Sequence, residues 1–176
     1  SDVDFDKDNP IELFDTLKSA MIECKTTGLS ACQLGIMKRF FVVGNYEDPD
    51  SIIGMFNPLI TDQSEDMITY EEACPSFPGL FLKIKRPKEI RIRYTKRDGD
   101  IDTFRFTGYT ARVILHEYDH LNGILFLQRA SRMKLERALK SRPKERRKRI
   151  EYEQRQALAR YIQKVQSNKD SEHGDG

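Results

Sequence analysis

The feature that most restricts the fold of this 176-residue chain is a pair of histidines four residues apart, in the run His116-Glu117-Tyr118-Asp119-His120. In an α-helix, residues i and i+4 lie one above the other, so both imidazoles can bind one Zn²⁺-like ion. Glu117 would lie about 100° around the helix, within reach of a water molecule on that ion. The metal lowers the pKa of that water and the carboxylate accepts its proton. The run therefore predicts a helix that carries a hydrolytic metal site.

A second interpretation of this run is a partly exposed amphipathic helix whose histidines hydrogen-bond to nearby groups. The apolar residues around the run favour a buried helix instead, namely Val113, Ile114, Leu115 and Leu121. Buried imidazoles and carboxylates need partners, and a metal ion with its surrounding hydrogen bonds supplies them. The remaining histidine, His173, lies in a polar tail. Histidines are thus concentrated at this one place.

A catalytic zinc site usually has three protein ligands and one open position. One metalloprotease class places a third histidine six residues after the second, but Phe126 stands there in this chain. The downstream acids Glu136 and Glu145 lie in a strongly basic region, a poor place to close a buried site. Cys74 is the better candidate, because thiolates bind divalent transition metals strongly and Cys74 lies where a strand breaks at Pro75. A small buried cysteine without a metal is the alternative interpretation.

The body of the chain predicts an α+β fold, with short antiparallel strands around a buried central metal-binding helix. Apolar periodicity predicts helices over Pro10–Glu23 and Tyr109–Asn122. Gly28–Gly35 is predicted to be a loop, and Asp98-Gly99 favours the positive φ of a hairpin turn. The predicted strands are Phe40–Val43, Ser51–Phe56, Leu59–Asp62, Met67–Glu72, Phe81–Lys85, Ile90–Thr95 and Ile101–Phe106.

Charge divides the chain into two parts. Residues 1–128 carry 15 basic and 21 acidic side chains, whereas residues 129–169 carry 15 basic and 4 acidic ones. We therefore predict a catalytic domain over 1–128 and a basic helical extension over 129–176, with its densest cluster at 144–149. This extension is either a solvated helix or a surface that docks on RNA phosphate.

Composition also restricts the location of the protein. No run approaches the roughly 18 apolar residues of a membrane helix. Three cysteines are too few for a disulfide framework, which favours a reducing, cytoplasmic compartment. We predict a monomer that makes no membrane contact.

Three segments together resemble the peptide deformylase family. That family carries, in this order, the patterns G-φ-G-φ-A-A-x-Q-φ-G, E-G-C-φ-S and Q-H-E-φ-D-H-L-x-G. In this chain the matching segments run from Gly28 to Gly35, from Glu72 to Ser76 and from His116 to Gly123. One such match would be weak evidence, whereas three in order, joined by an Arg97-Asp98-Gly99 hairpin, are specific.

The resemblance implies a hydrolase that removes the formyl group from the N-terminal formyl-methionine of nascent polypeptides. It implies that Cys74, His116 and His120 hold one divalent transition metal, natively Fe²⁺, which Zn²⁺ or Ni²⁺ can replace. Glu117 would be the general acid/base, and Gln33 would donate its amide to the developing oxyanion. The resemblance also supports ribosome docking by the basic extension. The residues expected to contact the substrate are Gly28, Leu29, Tyr70, Glu72, Ala73, Tyr109 and Val113.

The chain departs from the family pattern at Pro75. There the family has an apolar residue whose backbone N–H is the second donor to the oxyanion, and proline has no N–H. Loss of one such donor can lower turnover roughly 100- to 1000-fold. Ala73 replaces the motif glycine, and Ser30 and Cys32 are modest changes. The strand that usually precedes the first helix is expected to be absent, because only nine polar-rich residues precede Pro10.

Two other functions fit parts of the pattern. One is an endopeptidase with the same histidine helix, which the missing downstream ligand and the presence of Gln33 and Cys74 disfavour. The other is a non-catalytic RNA-binding module with a structural metal. Structural zinc sites usually fill all four positions, and only three ligands are predicted here, which favours catalysis.

Overall fold

The computed structural model describes residues 1–140 together with Lys148, Tyr152, Glu153, Arg155 and Gln156. Residues 1–140 form three α-helices and seven strands. The helices are α1 (Pro10–Glu23), α2 (Gly108–Leu121) and α3 (Arg132–Lys140). The strands are β1 (Gly28–Ser30), β2 (Phe40–Val43), β3 (Ile53–Gln63), β4 (Met67–Glu72), β5 (Leu82–Pro87), β6 (Glu89–Thr95) and β7 (Ile101–Thr107). Within this described part, no helix is both long and apolar enough to span a membrane.

The strands form two antiparallel sheets, which confirms the predicted α+β class. The larger sheet has the order β1-β2-β3-β6-β7, and β4 pairs only with β5. The predicted hairpin joins β6 to β7, and Gly99 there adopts φ 91°. α1 also has the predicted bounds, because Pro10 takes its first turn and the Asn9 side chain accepts a hydrogen bond from the Glu12 amide.

The large sheet lies between α1 and α2, and the burial of β2 on both faces shows this arrangement. Its four residues, Phe40 to Val43, are all buried, so both of its faces are covered. Phe40 and Val42 pack in a core cluster with Phe14 and Leu17 of α1. Phe41 and Val43 pack in a second cluster with Ile114 of α2 and with β6. The sheet is therefore covered by α1 on one face and by α2 on the other, and the side of α2 that faces the sheet is buried.

Two segments differ from the predicted elements. Gly28–Gly35 was expected to be a loop, but β1 pairs with Phe41–Val43 and continues into a 3₁₀ turn over Ala31–Leu34. The two strands expected around Asn57-Pro58 form one strand, β3, with irregular pairing to β6 between Phe56 and Leu59. Asn57 adopts φ 48° at this irregularity. Because the ladder is interrupted there, Pro58, which has no N–H to donate, does not end the strand.

The residues before α1 form no strand, as expected. They are nevertheless attached to the body. Val3 is buried, and its backbone N–H and carbonyl bond to the Asn57 side chain at 2.8 and 2.9 Å. Asn57 is thus both the residue of β3 with a positive φ and the one whose side chain holds the N-terminal segment against that strand.

A third, smaller core cluster extends past residue 128. It contains Cys74, Ile84 and Phe126, and Leu135 and Ala138 of α3 pack against it. Arg129 pairs with the buried Asp119 carboxylate. The basic cluster at 144–149 lies outside the described residues, except for Lys148.

Candidate metal-binding site

α2 and the segment after β4 bring together the three predicted metal ligands. The ligand atoms of Cys74, His116 and His120 all lie within 4.8 Å of one another. Cys74 Sγ is 3.4 Å from His120 Nε2, and the two imidazole centroids are 4.9 Å apart. This convergence follows from the helical i, i+4 spacing and from the break in β4, which turns Cys74 towards α2.

The hydrogen-bonding state of His116 fits a metal ligand. Its Nδ1 lies 3.0 Å from Glu72 Oε2, a distance at which the ring N–H donates to the carboxylate. Its Nε2 is buried and forms no hydrogen bond of acceptable geometry within the described residues. A soft thiolate beside two imidazoles is a donor set suited to Zn²⁺, Fe²⁺ or Ni²⁺. The residues present therefore fit a divalent transition metal at this place.

A buried ionic network supports His116 from behind. Arg86 bonds both oxygens of Glu72, at 2.7 and 3.0 Å, and its other nitrogen lies 2.7 Å from Asp119 Oδ2. Arg112 bonds Glu72 Oε1 at 2.5 Å and the carbonyl of Ile84 at 2.8 Å. The network thus links β4, β5 and α2. Such hydrogen-bonded partners fix the tautomer and orientation of a ligating histidine.

The two histidines of the cluster differ strongly in pKa. Burial lowers the pKa of His116, but the nearby Cys74 thiol and the hydrogen bond to Glu72 raise that pKa to about 10. Burial and the charge of His116 lower the pKa of His120 to about 4. A histidine binds a metal as the neutral imidazole, so metal binding would displace the proton that this environment favours on His116.

Glu117 lies beside the ligands and is 4% exposed. Its Oε2 is 2.6 Å from Ser30 Oγ on β1. A Cβ on Gly28 would lie 2.9 Å from Glu117 Oε1 and 2.7 Å from Val113 Cγ1, so only glycine allows β1 to approach α2 this closely. Burial raises the pKa of Glu117, which moves that pKa towards the neutral range in which a general acid/base works best.

Gln33 is positioned by its own 3₁₀ turn. Its Oε1 accepts a hydrogen bond from the Ser30 amide at 2.8 Å. Its Nε2 consequently points towards Cys74 Sγ, 3.7 Å away, and Ser76 Oγ, 3.2 Å away. The amide donor therefore faces Cys74, one of the three predicted metal ligands.

A cavity of about 350 Å³ opens beside the site. His116 and Glu117 form part of its wall, and so do five of the predicted substrate contacts, namely Gly28, Glu72, Ala73, Tyr109 and Val113. Leu29 and Tyr70 do not line it. The Leu29 side chain is 2% exposed and packs in the α1 cluster, because alternation along β1 directs it away from α2. The Tyr70 ring instead packs under Arg112, with the guanidinium carbon 5.3 Å from its centroid.

Sequence reasoning missed the two buried arginines of the network. Leu82, Ile84 and Arg86 alternate along β5 and are all buried, so the strand period placed Arg86 inward. Arg112 precedes His116 by one helical turn and lies on the same face of α2. Both signals were present in the sequence, but arginine is seldom buried unless paired, so the position of Glu72 was needed to interpret them.

Comparisons with known proteins agree with this geometry. A family model described as polypeptide deformylase matches residues 1–136. A peptide deformylase of Wolbachia pipientis wMel is 35% identical over an alignment of 143 residues, and the match covers 76% of this chain and 80% of that protein. The crystal structure of a peptide deformylase from Synechococcus elongatus in complex with actinonin is 31% identical, has a TM-score of 0.75 and covers 80% of this chain and 78% of that one. Peptide deformylase from Plasmodium falciparum is 28% identical, has a TM-score of 0.74 and covers 95% and 90%.

Proposed function

The chain belongs to the polypeptide deformylase family, and from that membership we propose that it hydrolyses the N-formyl group of formyl-methionine at the start of new polypeptides. The observation that carries the proposal is the convergence of Cys74, His116 and His120 beside Glu117 at the wall of one cavity. We place the activity in the cytoplasm, where nascent formylated chains are made.

Cys74, His116 and His120 would hold one divalent transition metal, with Fe²⁺ as the expected native ion and Zn²⁺ or Ni²⁺ as replacements. When bound, such a metal lowers the pKa of a water molecule and polarises a carbonyl group. α2 would then act as the central metal-binding helix of the fold. The unpartnered Nε2 of His116 and the Glu72 contact behind it support this assignment.

Glu117 would move the proton of the reaction. It accepts a proton from the water that adds to the formyl carbon, and it delivers that proton to the nitrogen as the C–N bond breaks. Formate and a free amino terminus result. The raised pKa of the buried Glu117 carboxyl supports both halves of this role.

Gln33 would stabilise the negative charge that develops on the formyl oxygen, because its Nε2 faces the ligand cluster. Pro75 lines the cavity but cannot supply a backbone donor. The methionine side chain and the start of the peptide would occupy the cavity, against Gly28, Ala73, Tyr109 and Val113.

Formate release from formyl-Met-Ala-Ser tests the proposal. The metal-loaded chain should release formate, and Glu117→Ala should retain the metal but lose about 100- to 10,000-fold in turnover. Cys74→Ala should lose the metal, whereas Cys24→Ala, which alters a cysteine outside the ligand cluster, should keep both metal and turnover. Cleavage of internal peptide bonds without formate release would instead identify an endopeptidase.

The basic extension would dock the protein on ribosomal RNA near emerging chains. The excess of basic residues over 129–169 supports this, since phosphate binding requires dense positive charge. A chain ending at Lys140 keeps the packing of α3 and is the appropriate truncation. It should pellet less with ribosomes at low salt and hydrolyse the small substrate normally, whereas equal pelleting of both chains would exclude docking through residues 141–176.

A further inference from the structure

Ser30 contacts the general acid/base directly. It ends β1 and is completely buried. Its Oγ lies 2.6 Å from Glu117 Oε2 and 3.0 Å from the Glu117 carbonyl oxygen. A serine hydroxyl has one proton, and an ionised carboxylate can only accept. The contact to Oε2 is the shorter of the two, so the hydroxyl donates its hydrogen bond to the Glu117 carboxylate and not to the carbonyl.

This hydrogen bond makes the two oxygens of Glu117 unequal. Oε2 is held by Ser30, while Oε1 lies beside Gly28, and both Gly28 and Glu117 line the cavity. We propose that Ser30 is a positioning residue for the reaction, whose hydroxyl fixes the Glu117 carboxylate so that Oε1 faces the reacting groups. This inference rests on the proposed function of Glu117.

Ser30 also holds the oxyanion donor, but by a different group. Its backbone N–H bonds Gln33 Oε1 at 2.8 Å. Any residue except proline can provide that N–H, so the Gln33 contact does not depend on the side chain. The hydroxyl contact to Glu117 does depend on it. Replacement of the side chain therefore separates the two roles, because it affects the orientation of Glu117 and leaves that of Gln33.

The resemblance shows which variant keeps the fold. The family segment has alanine at the position of Ser30, so a methyl group in place of CH₂OH is compatible with close packing of β1 against α2. An enzyme with alanine at this position has no hydroxyl there, so other contacts must orient the carboxylate that corresponds to Glu117. In this chain the hydroxyl provides a fixed contact, and pre-orientation of a catalytic group favours the transition state over the ground state.

Steady-state formate release by Ser30→Ala tests the inference. We expect kcat to fall about tenfold, the size of effect of one hydrogen bond to a charged group, with KM within twofold of wild type and one metal per chain retained. On a Glu117→Ala background, Ser30→Ala should have no further effect, because Ser30 acts only through the carboxylate. Ser51→Ala removes a hydrogen-bonding hydroxyl outside the site and should leave kcat unchanged.

Three results would overturn the positioning role. These are a Ser30→Ala kcat within twofold of wild type, an equal loss in the Glu117→Ala background, or loss of metal in parallel with activity. Each is distinct from failure of the proposed function, which would appear as absence of formate release by the metal-loaded wild-type chain. Measurement of thermal unfolding for each variant ensures that rates are compared among folded proteins.

Discussion

Pro75 has a direct chemical consequence because, unlike other residues, it offers no backbone N–H next to the predicted metal ligand Cys74. Pro75→Leu restores an N–H at that position, and we expect turnover to stay the same or to rise, up to the roughly 100-fold that one oxyanion donor can contribute. The measurement is kcat for formate release from formyl-Met-Ala-Ser. Gln33→Ala should be less harmful in the Pro75→Leu background, because two donors then share the oxyanion. A clear loss of kcat in Pro75→Leu would show that the proline has a positive role of its own.

Gly28 is needed for the approach of β1 to α2. In Gly28→Ala, the new Cβ would lie 2.7 Å from Val113 Cγ1 and 2.9 Å from Glu117 Oε1, so the Glu117 carboxylate must move. We expect a loss of about 1–3 kcal/mol in the free energy of unfolding, typical of overpacking, together with a fall in kcat at temperatures where the variant is folded.

Gly54→Ala is the matched control for Gly28→Ala. Its Cβ would lie equally close, at 2.7 Å, to the Phe14 ring, but in the α1 core. It should lower the free energy of unfolding without lowering kcat per folded molecule. Equal kcat losses in both variants would mean that general overpacking, not displacement of Glu117, reduces turnover.

The Glu72 carboxylate joins three elements, because it lies on β4 and bonds Arg86 of β5 and both Arg112 and His116 of α2. Burial alone raises the pKa of Glu72, but hydrogen bonds from His116 and two arginines lower that pKa to about 2, against an ordinary value of 4.5. A carboxyl with a lowered folded pKa stabilises the fold above its unfolded pKa and loses that effect as the pH falls towards the folded value. The shift corresponds to about 3 kcal/mol at neutral pH.

Glu72→Gln tests this coupling between elements. It leaves the buried guanidinium group of Arg112 without its carboxylate partner and leaves Arg86 paired with Asp119 alone, which should cost about 3–5 kcal/mol in the free energy of unfolding. Urea unfolding at fixed metal concentration measures the loss. Glu71→Gln, an adjacent exposed position, should change stability little. The difference between wild type and Glu72→Gln should shrink from pH 4.5 towards pH 2, and a difference independent of pH would contradict the assignment.

Elements with a local signal could be predicted, whereas those that depend on distant partners could not. α1, β4 and the β6–β7 hairpin follow from periodicity, a proline start and an Asp-Gly turn, and all three were predicted correctly. β1 was missed because its three residues become a strand only by pairing with β2. The same distinction applies to the site, where the histidine spacing is local, whereas Cys74 was chosen by exclusion of other ligands and gained specific support from the family resemblance. The arginine network needed the structure.

At the scale of the whole molecule, core packing extends further along the chain than the change in charge indicates. We call the part of the chain that shares this packing the body. Charge changes at residue 129, but packing continues, because Ala130, Leu135 and Ala138 lie against the third core cluster. That cluster includes Cys74, a predicted metal ligand, and Phe126, whose ring centroid is 5.6 Å from that of His116. The first part of the basic extension, through α3, therefore packs against the body beside the predicted metal site.

Truncation after Lys140 and after Gln128 should therefore give different proteins. The chain 1–140 keeps α3 and the Arg129–Asp119 pair, so its thermal midpoint and kcat for formyl-Met-Ala-Ser should match those of the full chain. The chain 1–128 exposes apolar side chains of the third cluster and leaves Asp119 with one arginine fewer. We expect it to lose about 2–4 kcal/mol in the free energy of unfolding, and with it the retention of metal. Thermal unfolding and metal content measured on both chains check this, and equal stability would place the end of the body at the charge boundary instead.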